Sequence, residues 1–86
     1  MGRFVSMEKY SKVADATDVT NDYVTFNISN LESGTPTGMI AQIRAATTGV
    51  VNTTGLAVTF ANGVAKVAAT AIALGDVVSL IVFDEN

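Results

Sequence analysis

The stretch LAVTFANGVAKVA, residues 56–68, holds an Asn-Gly pair between two runs of alternating character. A two-residue type I′ turn needs positive φ at both central positions, and Asn-Gly accepts this more readily than almost any other pair. Asn62-Gly63 therefore predicts a β-hairpin with a fixed register: Ala61 opposite Val64, Phe60 opposite Ala65, Thr59 opposite Lys66 and Val58 opposite Val67. Strand side chains alternate between faces, so Leu56, Val58, Phe60, Ala65 and Val67 share one side. That side is a core face. The other, Ala57, Thr59, Ala61, Val64 and Lys66, is small and nearly neutral, neither greasy enough for a core nor charged enough for open water.

Further strands follow from the same alternation. YVTFNI, residues 23–28, places Val24, Phe26 and Ile28 on one side and Tyr23, Thr25 and Asn27 on the other. NLESGTPTG, residues 30–38, carries the single proline and two glycines and reads as a loop. MIAQIRA, residues 39–45, is a second strand, with Gln42 and Arg44 on a common face; TTGVVNTTG after it is a turn-rich link with a short strand fragment at Val50-Val51. DVVSLIVFD, residues 76–84, is apolar on both sides, the mark of a central strand covered twice. Residues 68–76 link the hairpin to it, and their alanines leave a helical turn or an extended loop both open, with the loop preferred. The reading is all-β: a small antiparallel β-sandwich or barrel-like domain over residues 22–86. Residues 1–21 form an N-terminal arm that holds six charges and has Phe4, Met7 and Tyr10 at every third position.

A chain of 86 residues hides only about 60–65% of the surface that its unfolded form exposes, so its own core is marginal. Domains this small recruit disulfides, a metal or an oligomer. Cysteine and histidine are both absent, which removes disulfides, thiolate or imidazole metal sites and Cys- or Ser-His catalysis. Assembly is the support that remains. Only 15% of residues are charged, against about 25% in average domains, and Lys66 is the only charge between Ala45 and Gly75. Nucleic-acid binding asks for a basic stripe, and a net charge of −3 with scattered cations does not supply one. The apolar run is broken too often by Gly, Asn and Thr to span a membrane, and the first dozen residues have no apolar core of signal-peptide length, so synthesis in a cytoplasm is expected.

Few residues suggest chemistry. Asp15, Asp18, Asn21 and Asp22 gather oxygens, but without the alternating ligands and glycine of an EF-hand loop, and the same residue types dominate turns. Asn27-Ile-Ser29 and Asn52-Thr-Thr54 match the glycosylation pattern without a secretion signal. Gly34–Gly38 lacks the Lys-Ser/Thr ending of a phosphate loop, and Glu32 and Asp76 have no spacing that pairs them as acid and base. No catalytic, cofactor or metal residue is assigned. Interfaces are depleted in charge at their centres. The candidate interface is thus the pale face, Ala57, Thr59, Ala61 and Val64, together with Phe4, Val5, Met7 and Tyr10 of the arm.

TFNISNLESGTPTGMIAQIRAATTGVVNTTGLAVTFANGVAKV, rich in Thr, Ala, Val, Gly and Asn, and the closing LGDVVSLIVFDEN resemble in style the capsid decoration (cement) proteins of tailed bacteriophages. That resemblance implies a compact β-domain seated on a major capsid protein lattice, oligomeric, on the virion surface, with the arm reaching onto a neighbour. It carries no site residue over. A carbohydrate- or peptide-binding β-sandwich, using loops such as residues 30–38, and a tail or neck adaptor are the alternative expectations.

Overall fold

A computed structural model describes residues 5–28 and 36–85. The strands are β1 (Val5–Val13), β2 (Tyr23–Asn27), β3 (Gly38–Arg44), β4 (Val51–Asn52), β5 (Ala57–Ala61), β6 (Val64–Ala68) and β7 (Val77–Glu85), with one short helix, α1 (Ala16–Asn21). They form two antiparallel sheets, ordered β1-β7-β3-β4 and β2-β6-β5. The all-β reading holds, and the two sheets enclose one core.

The hairpin forms as its turn dictates. Asn62 and Gly63 adopt φ of 52° and 77°, and Ala61 pairs with Val64, Phe60 with Ala65, Thr59 with Lys66 and Val58 with Val67. Strand β7 is central, between β1 and β3. Its Val78, Leu80 and Val82 are buried against Val24, Phe26, Ala65 and Val67 of the other sheet. Residues 69–76 are an irregular link rather than a helix. The link drops Ile72 into the core and closes one end of the sandwich.

Buried Asp76 fastens that end. Its carboxylate accepts from the Ala46 N–H at 3.0 Å and the Ala73 N–H at 2.9 Å. Its carbonyl accepts from the Ala14 N–H at 2.8 Å, so a single residue ties three connections together.

The N-terminal segment departs from the expected arm. Val5–Val13 pairs along its whole length with β7 of the same chain, Val5 opposite Glu85 through Val13 opposite Val77, and Ala14 is buried in the core. The division into an arm of residues 1–21 and a domain of residues 22–86 is therefore replaced by continuous pairing from residue 5. The three-residue spacing of Met7 and Tyr10 does not make a stripe either, because strand side chains alternate with period two. Met7 points outward and exposed, whereas Tyr10 is half-buried beneath the sheet with its ring 6.1 Å from that of Phe26. Phe4 and the Val5 side chain lie outside the described residues, as do Glu32 and most of the loop expected over residues 30–38.

The acidic run 15–22 is a helix with its caps. Asp15 is the N-cap: it accepts from the Asp18 N–H at 3.0 Å, while the Asp18 carboxylate accepts from the Asp15 N–H at 3.1 Å. This reciprocal pair satisfies two amides that a helix start leaves without partners. Lys12 reaches both carboxylates, at 2.9 Å to Asp18 and 3.4 Å to Asp15. The helix ends where Asp22 turns left-handed at φ 61°.

Candidate functional site: two uncovered sheet faces

Tyr10, Lys12, Asp15, Asp18 and Asp76 are engaged in contacts that hold the fold. The Asp18 N–H, and behind it Lys12, hold the Asp15 carboxyl below its ordinary value, and the hydrogen bond to Asp18 holds the Lys12 ammonium above its own. Tyr10 donates to Glu8 at 2.8 Å, and burial, reinforced by that carboxylate, pushes the phenol up. Asn52 accepts from the Thr54 N–H and hydroxyl, each at 3.2 Å, so it forms a local turn. Among the described residues no three metal-ligating side chains converge. These groups can stabilise turns and ends; they do not assemble an acid, a base and a nucleophile around a common point.

What the fold does present is the outside of its two sheets. On the three-stranded sheet, the pairing sets out rows of Tyr23, Ala68 and Ala57; Thr25, Lys66 and Thr59; and Asn27, Val64 and Ala61. Ala57, Thr59, Ala61 and Val64 are thus brought together as the pale face that the hairpin register predicts. The first three are exposed and Val64 is half-buried. The one charge there is Lys66, whose ammonium sits 4.6 Å from the centre of the Tyr23 ring. That contact occupies a face of the ring.

The four-stranded sheet has a second uncovered face, which the sequence reading did not select. Its rows run Met7, Phe83, Gly38; Lys9, Ile81, Ile40; Ser11, Ser79, Gln42; and Val13, Val77, Arg44, Val51. Met7, Val13, Ile40 and Val51 are exposed by 63, 60, 55 and 49%, large values for apolar side chains sharing one sheet. The signal was the two-sided apolarity of β7. Such a strand is expected to be covered twice, yet among the described residues only one face is covered by the chain itself. Met7 therefore belongs to this second face, across the sandwich from Ala57, Thr59, Ala61 and Val64, and Tyr10 to neither.

Charge is partitioned between these faces and the rest. Lys9 and Arg44 are the ionised side chains described on the larger face, as Lys66 is on the smaller. Among the described carboxylates, Asp15 and Asp18 cap α1, while Asp76 and Asp84 are buried. A cleft of about 400 Å³ also opens between the sheets beside β4, lined by Ile43, Val51, Leu56 and Ala69 among others. No aromatic ring lines it. Comparison with known protein families, with curated proteins and with solved structures finds no match to this chain.

Proposed function

We propose that this chain is a non-enzymatic structural protein that decorates a virion shell, packing its sheet faces against copies of itself and against the major capsid protein. The observation that carries the reading is the apolar outer face of β7 and its neighbours. An antiparallel sheet that faces water on one side normally alternates apolar-in with polar-out. Here Ile81, Phe83, Ile40 and Met7 face out instead. Contiguous apolar surface of this kind on a small protein marks a contact with another macromolecule.

The size of the faces bears on stoichiometry. At about 3.3 Å along and 4.8 Å across per residue, the nine, nine, seven and two residues of β1, β7, β3 and β4 cover roughly 430 Å². A standard specific interface buries about 800 Å² on each partner. One face alone is therefore too small for tenacious attachment, and use of both faces, or of several copies side by side, supplies the rest. A lattice of repeated subunits offers that arrangement. Among the described residues the carbohydrate-binding alternative draws little support: Tyr10 is turned inward, the Tyr23 ring is capped by Lys66, and no aromatic ring lines the cleft.

The test is co-sedimentation of the purified full chain with shells assembled from the major capsid protein of its own genome. The reading predicts saturable, regularly stoichiometric binding, abolished by Ile40→Glu with Ile81→Glu. A chain that stays in the supernatant at micromolar shell concentration contradicts it.

A further inference from the structure

The larger sheet face is not uniformly apolar. Ser11, Ser79 and Gln42 form a small polar row between the bulkier rows of Ile81 and Val77, and the step in side-chain size leaves a depression of about 240 Å³. Lys9 and Arg44 stand at opposite corners of its lining. Two strand spacings across and four residues along put their backbones roughly 16 Å apart, so the centre lies about 8 Å from each. A Lys or Arg side chain plus one hydrogen bond spans that distance.

We propose that this depression is a carboxylate-binding site, which receives an Asp or Glu side chain from an acidic, otherwise apolar surface of a partner protein. The two hydroxyls and the amide at its floor supply donors, and the guanidinium of Arg44 binds a carboxylate bidentately. The ion pairs among the described residues belong to Lys12, which leaves Lys9 and Arg44 uncommitted. Burying two such cations under an apolar partner surface without counter-charge would be costly. The occupant therefore brings its own negative charge. A second copy of the same face is matched less well, since it would set Lys9 and Arg44 against their like. A polyphosphate chain is matched less well, because nucleic-acid binding draws on many phosphate contacts and here two cations stand among Met7, Ile40, Ile81, Val77 and Val13. The inference deepens the reading as a shell-attached protein and rests on it only for the identity of the partner.

The probe is a blocked pentapeptide of alternating valine and glutamate, titrated into the ¹⁵N-labelled full chain and followed by amide chemical shifts. The expected result is saturable shifts confined to residues 9–13, 40–44 and 77–81, no saturation with the valine-glutamine peptide, and about fivefold weaker binding in the Lys9→Gln/Arg44→Gln double variant. Raising salt from 0.15 to 1 M weakens binding similarly, as the screening length falls from about 8 to 3 Å. Equal binding of the glutamine peptide, undiminished binding by the double variant, shifts elsewhere, or no saturation at 10 mM peptide overturns the site. Tighter binding of a ten-nucleotide single strand at the same residues overturns it in favour of a nucleic-acid partner. If shells bind the double variant as well as the parent, the carboxylate site fails while shell attachment stands. If the peptide binds as expected and shells do not, the site stands and shell attachment fails.

Discussion

Replacing Asp76 removes a fastening that joins separate connections of the fold. Its carboxylate is buried and accepts from two backbone amides, Ala46 and Ala73, that belong to separate connections. Hydrogen bonds to a charged group contribute about 1.5–3 kcal/mol each. Ala46 and Ala73 stand at exposed positions, so water partly re-solvates their freed N–H groups and the lower figure applies to each. Asp76→Ala is therefore expected to cost about 3 kcal/mol. Asp76→Asn keeps one acceptor oxygen and turns an amide N–H toward the other donor, which halves the loss. In a domain of this size 1 kcal/mol moves Tm by about 4–8 °C. Circular dichroism melts at neutral pH should thus show a fall of about 12–24 °C for Asp76→Ala and about half that for Asp76→Asn. Urea titrations should give a lowered midpoint with an unchanged slope. Hydrogen exchange should locate faster opening at Ala46 and Ala73 before the rest of the sheet. A Tm change under 4 °C for Asp76→Ala, or a larger loss for Asn than for Ala, would refute the clamp.

Gly63→Ala tests the hairpin turn without a clash: a Cβ there meets nothing nearer than the Ile28 carbonyl at 3.8 Å, so the left-handed φ of 77° alone should cost about 1–2 kcal/mol by chemical denaturation. Leu80→Ala, at a fully buried position in the central strand, should cost about 3–5 kcal/mol and leave little folded protein at 37 °C by near-ultraviolet circular dichroism. The helix cap has a pH signature with a definite sign. Asp15 titrates below its ordinary value in the fold, so its contribution is present above the unfolded pKa of about 3.9 and is lost as pH falls through the lower, folded value. Lys12 titrates above its own, so its contribution is present below about pH 10.4 and is lost as pH rises through the folded value. Exchange of the α1 amides between pH 2 and 11 checks both limbs, and Asp15→Asn should flatten the acid one.

The parts of the fold legible in the sequence were those governed by local geometry. Asn62-Gly63 has few conformations open to it, and period-two alternation then leaves a single register for β5 and β6. β7 was legible as central because both its faces are apolar. β1 was not, since VSMEKYSKV carries Glu8, Lys9 and Lys12 along a sheet edge, where charge blunts further pairing and masks the alternation. Helix α1 was hidden by its own caps, because Asp and Asn serve turns and N-caps equally well. The shared outer face of Ala57, Thr59, Ala61 and Val64 was legible through the hairpin register. The face shared by Ile40, Ile81, Lys9 and Arg44 was not, because which strands lie side by side in the second sheet depends on contacts between distant segments, which no local pattern encodes.

The central claim is that the sheet faces are covered by partners in the assembled particle. The chain has no cysteine, so Ile40→Cys and Thr59→Cys each introduce a single thiol, one on each face. Maleimide labelling rates should be compared in the free chain and in purified particles that carry it. Both thiols should label fast in the free chain, and labelling at residue 40 should be at least tenfold slower in the particle, with residue 59 slowed where copies meet. Equal rates in the two states at both positions would contradict the claim.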